Sequence, residues 1–200
     1  MIDKAESPSL NASESSSLSP TLAHNMSRYI VLLRGVNVGG HNFLPMKELK
    51  SALEAAGYKN VSTYIQSGNL VLDSEHDPML AIKALIAGKF GFDPDVLTLT
   101  PQQFKQAMVN NPYLGFEGKW VHFYFCQQEP KLDLQRLTQL KADTESCQMI
   151  NRVFYLHAPM GIARSKLVAN IEKCLGVRAT GRNLNTVHKL AKMLNIKSDE

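Results

Sequence analysis

"VSTYIQSGNLVL", residues Val61–Leu72, decides how this chain folds. Val61–Ile65 and Asn69–Leu72 are β-branched and apolar runs of strand length, and Gln66-Ser67-Gly68 between them is short enough for a hairpin. Upstream, "YIVLL" (Tyr29–Leu33) reads as a buried strand. After a polar loop come Pro45, Met46, Leu49, Leu53 and Ala56 at helical spacing, with Gly57 as the stop. Downstream, Asp77-Pro78 opens a helix carrying Leu80, Ile82, Leu85 and Ile86, and "DVLTL" (Asp95–Leu99) closes the set. Strand, helix, hairpin, helix, strand is the split β-α-β, or ferredoxin-like, plan.

A helix from Pro101 to about Val109 leads to the same order again: "WVHFYF" (Trp120–Phe125), then a helix bearing Leu134, Leu137 and Leu140. "CQMI" and "VFYLHA" form a hairpin around Asn151-Arg152, and a helix over Ile162–Leu175 and a strand near Val177–Thr180 complete it. "NTVHKLAKML" adds a final amphipathic helix with Val187, Leu190, Ala191 and Leu194 on one face. The expected class is α+β, two ferredoxin-like subdomains in tandem. Residues 28–100 form the first and 119–182 the second, with 101–118 linking them, 183–196 the C-terminal helix and 197–200 a tail. The repeat is one of pattern, without letter-for-letter identity.

Residues 1–27 are rich in Ser and lack periodic apolar residues, so a disordered tail is expected there. The stretch has neither the basic-then-apolar form of a secretory signal nor the Arg content of a transit peptide, and Met26 stands as an alternative start. The chain is 44% apolar and 20% charged, as in ordinary globular domains, and no apolar run approaches the roughly 20 residues of a membrane span. Cys126, Cys147 and Cys174 lack CxxC spacing or a nearby His pair, which argues against a zinc site or disulfide framework and for a reduced, cytoplasmic setting. Neither a metal nor a cofactor is expected.

The net charge of +4 is concentrated late, in Arg164, Lys166, Lys173, Arg178, Arg182, Lys189 and Lys192, with Glu172 the one acid among them. A solvated basic face and an anion-binding surface both fit that pattern.

"RGVNVGGHN" (Arg34–Asn42) has the glycine spacing of a phosphate loop, but His41-Asn42 replaces the Lys and Ser or Thr that the chemistry requires. The four residues "HNFL" separate its glycines from the helix, so a Rossmann pyrophosphate grip is excluded as well. Glycines that permit positive φ are the simpler account. The ferredoxin-like plan nevertheless brings this loop to the edge that holds Gln66–Asn69, and it brings "GIARSK" (Gly161–Lys166) to the edge that holds "GRNLNT" (Gly181–Thr186). Asn183 or Asn185 also suits the cap of the last helix.

Together "LLRGVNVGGHNFLPM", "GYKNVSTYIQSGNLV", "GIARSK" and "TGRNLNT" resemble the mostly bacterial family catalogued as domain of unknown function 1697, over about Met26–Ile196. The resemblance implies paired ferredoxin-like subdomains and brings no activity or cofactor with it. It places the family's polar signature on Arg34, Gly35, Asn37, Gly39, Gly40, Asn42, Gln66, Ser67, Gly68, Asn69, Ser165, Arg182, Asn183 and Thr186. Leu184 departs from the family, which commonly has Trp there.

Three functions compete. The first is a binding module for an anionic small molecule or nucleotide, using those residues with Arg164 and Lys166. RNA is a weaker partner, resting on His122, Tyr124, Tyr155 and His157 sharing one sheet face without an RNA-recognition motif. The second is a metal-free enzyme with His41 or Ser67 as acid, base or nucleophile, although no base is paired with a nucleophile. The third is a structural or interaction module in which buried, mutually satisfied Arg34 and Arg182 lock the subdomains together. No oligomeric state follows from the sequence.

Overall fold

Alternation along the strands sorts their side chains onto two faces, and both faces of both sheets are covered. The structure, a computed structural model, describes residues 25–196. The tail expected over 1–27 lies outside them except for its last three residues, of which Ser27 already opens a strand, and residues 197–200 lie outside as well.

The first module comprises β1 (Ser27–Arg34), α1 (Met46–Ala55), β2 (Lys59–Tyr64), β3 (Asn69–Ser74), α2 (Met79–Phe90) and β4 (Asp95–Leu99). Its strands lie in the order β2-β3-β1-β4, with every neighbouring pair antiparallel. The helix α3 (Pro101–Val109) leads to the second module. This contains β5 (Val121–Cys126), α4 (Leu134–Leu140), β6 (Ser146–Ile150), β7 (Val153–His157), α5 (Lys166–Ala169), α6 (Ile171–Leu175) and β8 (Ala179–Asn183), in the equivalent sheet order β6-β7-β5-β8. The helix α7 (Leu184–Met193) follows directly. The protein is thus α+β, with two split β-α-β subdomains in tandem.

Two elements differ from the sequence expectation. The helix expected over Ile162–Leu175 is two short ones, because Asn170 leaves helical geometry (φ −121°, ψ 18°) and Ser165 caps the first by accepting from the Val168 N–H at 3.1 Å. The last strand runs on through Asn183, since Gly181, Arg182 and Asn183 pair with Tyr124, Phe123 and His122.

In β1, Val31 and Leu33 face α1 and α2, joining Leu49, Leu53, Ile82 and Ile86 in the first module's own core. In β5, Tyr124 and Cys126 face the helices of the second module with Leu167, Cys174 and Leu175. The alternate residues, Ile30 and Leu32 on one sheet and Val121, Phe123 and Phe125 on the other, enter a third core shared between modules. Phe104 of α3 stacks with Phe125 at 6.0 Å, and Leu184, Val187 and Leu190 of α7 fill the same layer. The open faces of two ferredoxin-like sheets are therefore turned inward, where each fully buried Phe or Leu contributes roughly 2 kcal/mol.

Each module also holds the other's trailing helix by its last turn. The Tyr155 hydroxyl of β7 donates to the Ala107 carbonyl of α3 at 2.7 Å, and Arg28 of β1 donates to the Met193 carbonyl of α7 at 3.3 Å. Both bonds serve carbonyls at helix C-termini, where acceptors lack intrahelical partners.

This arrangement corrects the expected aromatic face. Phe123 pairs with Tyr155 and His122 with Leu156, so Tyr155 and His157 point inward while His122 and Tyr124 point to the helices. Tyr155 of β7 is wholly buried and His122, Phe123, Tyr124 and Phe125 of β5 are all buried, which leaves no stacking platform for bases there.

Candidate functional site

The β1 terminus and the β2–β3 hairpin share one edge because β3 lies between β1 and β2, and the Leu33 N–H donates to the Gly68 carbonyl at 2.8 Å. Arg182 arrives at this edge from β8. Its Nε donates to the Asn69 side-chain oxygen, and one terminal nitrogen donates to the Leu33, Ser67 and Gly68 carbonyls at 2.7, 2.9 and 3.3 Å. The other terminal nitrogen donates to the Gly181 carbonyl at 2.8 Å. Burial pushes the guanidinium pKa down to about 10, which still leaves it charged at neutral pH. A fork of fixed donors is thus matched to a cluster of carbonyls across the module boundary.

The acceptors are themselves fixed. Asn69 is fully buried and its amide nitrogen donates to the Tyr64 carbonyl at 3.0 Å and to the Ser67 hydroxyl oxygen at 2.9 Å. Gly68 lies in the left-handed region at φ +79°, and a Cβ there would stand 2.6 Å from Leu33 Cβ and 2.8 Å from Val36 Cγ2. Only glycine permits this approach.

Beside this clasp runs a zigzag of four charges. Arg34 pairs with Asp95 at 2.9 Å and with Glu172 at 3.0 Å, and Arg178 pairs with the other Asp95 oxygen. Glu172 in turn accepts from the Ala179 N–H at 3.0 Å. Arg34 and Asp95 come from the first module, Glu172 and Arg178 from the second. The cationic charge of Arg34 is consequently met by two acids.

The loop "RGVNVGGHN" is stapled by its asparagines. Asn37 donates to the carbonyls of Leu44 (2.9 Å) and Gln66 (2.8 Å) while its oxygen accepts from the Leu44 N–H (2.8 Å), and Asn42 donates to the Gly35 carbonyl (2.9 Å). Gly39 and Gly40, at φ +61° and +77°, form a turn closed by His41 N–H to the Val38 carbonyl at 3.1 Å. Two successive positive φ values make this the turn that suits a right-twisted hairpin. Gln66 and Ser67 are exposed beside it.

The remaining signature residues split up. Asn183 caps α7 by accepting from the Thr186 N–H at 2.9 Å, and Thr186 is buried. Ser165 caps α5 while Arg164 and Lys166 are exposed, so "GIARSK" sits against the outer helices and Arg182 points into the shared interface. Asn37, Gln66, Ser67, Gly68, Asn69 and Arg182 are brought together, with Arg34 alongside. Among the described residues no group of three His, Cys, Asp or Glu side chains could hold a metal ion, and no helix is long and apolar enough to cross a membrane.

Away from the clasp, beyond β5 on the β7 side, the modules border a half-open cavity of about 330 Å³. Its lining includes Leu99, Ile150 and Val153, the almost wholly buried Phe125 and Tyr155, and the exposed Arg152 of the β6–β7 hairpin. Gln102, Gln103 and Gln106 of α3 supply amides along the rim. One Arg152 nitrogen is spent on the Cys126 and Gln127 carbonyls, which holds the side chain in place. Burial pushes the Cys126 thiol at this cavity up to about 11, so it is protonated and unreactive at neutral pH. None of these cavity residues was signalled by the glycine-rich motifs. The one hint in the sequence was the run of glutamines on a helix that also carries Phe104 and Ala107 inward.

Fold and polar seam together define a class: two ferredoxin-like modules facing each other and pinned at one edge by ion pairs and by an arginine set on carbonyls. The chain belongs to the family described as Protein of unknown function (DUF1697), whose model matches residues 26–155. It is similar to the conserved bacterial protein SP0830 from Streptococcus pneumoniae, with 25% identity and a TM-score of 0.64 over 84% of this chain and 99% of that one. No curated protein matches the chain.

Proposed function

We propose that this protein is a binding module for a flat, ring-bearing small molecule that carries an oxyanion, held in the cavity between its modules. The polar signature, in this reading, is the clasp that fixes the modules relative to one another. The observation that supports the reading is the cavity itself: its volume is that of a small-ligand site, most of its lining surface is apolar, and Arg152, anchored on the Cys126 carbonyl, is among the lining residues. Arg34 and Arg182, by contrast, already have acids or carbonyls as partners, so an anion arriving at the signature loops would have to displace them.

Leu99 and Ile150, both half-buried, offer apolar surface for a ring, Gln102 and Gln106 offer amides for its polar edge, and Arg152 has donors left for a carboxylate or phosphate. A calorimetric titration of the full chain with 1-naphthyl phosphate and indole-3-acetate tests this. Binding that weakens at least tenfold in Arg152→Gln and is blocked by Gln106→Trp is the expected result. Binding that survives both substitutions, or is lost only in Arg182→Met, would return the site to the signature loops.

A further inference from the structure

The outer strands of the two sheets, β2, β4, β6 and β8, differ in how their free edges are protected. β2 is interrupted by a register shift between Lys59 and Ser62 and by Asn60 at φ +49°. β4 opens on Asp95, which Arg34 and Arg178 cover, and β8 has its Ala179 N–H on Glu172 and its Gly181 carbonyl on Arg182. β6 has none of these devices. It pairs with β7 in unbroken register from Ser146 to Ile150, and "SCQMI" contains neither a charge nor a proline to keep another strand away. We propose that β6 is an interface with a second copy of this chain. Two β6 strands pair antiparallel about a two-fold axis at Gln148 and join the four-stranded sheets of the two copies into one.

The backbone is turned for this pairing. The Arg152 carbonyl and the Ala158 N–H point to β5, where they meet the Cys126 N–H and the Trp120 carbonyl at 2.9 Å each. The alternate residues Val153, Tyr155 and His157 therefore turn their polar groups to β6, opposite Ile150, Gln148 and Ser146. Cys147 and Met149 are left with N–H and C=O directed outward, and among the described residues these groups have no partner. Centred on Gln148, the pairing sets Cys147 of each copy opposite Met149 of the other and gives every outward group a bond.

The side chains suit their own image. At a two-fold axis like faces like, so a charge there would repel its copy. Gln148 is exposed at the axis, and its amide both donates and accepts, so it pairs with itself. On the helix face Cys147 and Met149 are half-buried beside the second module's core and cover one another across the axis. Above them lies α4. The α6 helix holds the β8 side, where Glu172 receives the Ala179 N–H, and Arg136 of α4 donates to the Lys173 carbonyl of α6 at 3.2 Å. The opposite flank of α4 is thus over the β6 edge, and it bears Thr138 and Leu134, the latter 66% exposed. In the pair this flank packs against its counterpart and Leu134 leaves water. An unrelated extended segment would satisfy the backbone alone; the match of amide to amide and of apolar flank to apolar flank selects a second copy.

Sedimentation equilibrium of the full chain tests the proposal at up to about 100 µM, where a Kd of ~10 µM leaves most chains paired. The expected mass rises with concentration to twice that of one chain. Gln148→Lys and Gln148→Glu, both at an exposed position, each set like charges against one another and weaken pairing at least tenfold, while an equal mixture of the two variants pairs again. A wild-type chain that stays monomeric overturns the proposal. A dimer that survives both substitutions, or a mixture that fails to pair, overturns it as well, because either places the axis away from Gln148. Thermal melts of each variant separate lost pairing from lost folding.

Discussion

Replacing Arg182 by Met keeps the length of the side chain and removes every donor from the clasp. Four acceptors of the first module, Asn69 Oδ1 and the carbonyls of Leu33, Ser67 and Gly68, then lose this donor, and of them Gly68 keeps the Leu33 N–H. A hydrogen bond from a charged donor contributes about 1.5–3 kcal/mol, but three of these share one nitrogen and part of the cluster can be reached by water. Counting two such bonds gives a loss of about 3–6 kcal/mol, and at ~2–4 °C per kcal/mol for a chain of this size the melting temperature falls by ~10 °C or more. Urea unfolding monitored by tryptophan fluorescence and circular dichroism measures the loss directly. Arg178→Ala is the control, because its exposed guanidinium touches the same seam and its removal has a much smaller effect. A deficit below about 1 kcal/mol for Arg182→Met would show that the carbonyls are satisfied by solvent and that the clasp does not join the modules.

Three further outcomes are expected. Gly68→Ala combines a positive φ with two contacts inside van der Waals distance, so it destabilises by about 3 kcal/mol in the same unfolding assay; a change under about 1 kcal/mol contradicts the close approach. Ile65 is exposed with φ +49°, a costly conformation for a β-branched residue, so Ile65→Gly stabilises by about 1 kcal/mol, and a loss instead would mean its side chain packs. Burial pushes the His122 imidazole below its ordinary value of 6.5, against an opposing backbone hydrogen bond at Lys119, and His188 shifts the same way. The unfolded chain then takes up protons that the folded one refuses, so stability is full above about pH 6.5 and declines as pH falls through the folded value. In His122→Phe the decline between pH 7 and 5 becomes shallower; an unchanged slope refutes the assignment.

The strand and helix order was readable because hydrophobic period changes cleanly along this chain, as in "YIVLL" against Met46, Leu49 and Leu53. Topology then placed Arg34–Asn42 beside Gln66–Asn69, since β3 must lie between β1 and β2. What resisted reading depended on partners distant in sequence. Gly181, Arg182 and Asn183 carry no strand propensity and are extended only because β5 pairs with them. "VHFYFC" is apolar on both faces, so nothing local revealed that Phe123, rather than His122, shares a side with Tyr155. The late basic residues looked like a surface for an external anion because the acid that meets Arg178 is Asp95, eighty-three residues away. The cavity lies where α3 crosses the second sheet, a contact between modules for which no single motif is responsible.

The reciprocal bonds by which each sheet grips the other's trailing helix bear on how the chain reaches its native state. A module alone would keep its own two-layer core but leave Ile30, Leu32 and Leu97, or Phe123, Phe125 and Tyr155, facing water. Neither half can finish its own interior. The helix α7, made after both sheets, supplies Val187 and Leu190 to the layer shared with Ile30 and Leu32, so the N-terminal half stays an incomplete, association-prone intermediate until α7 has been made. Folding is in this sense a single late closure rather than two successive ones.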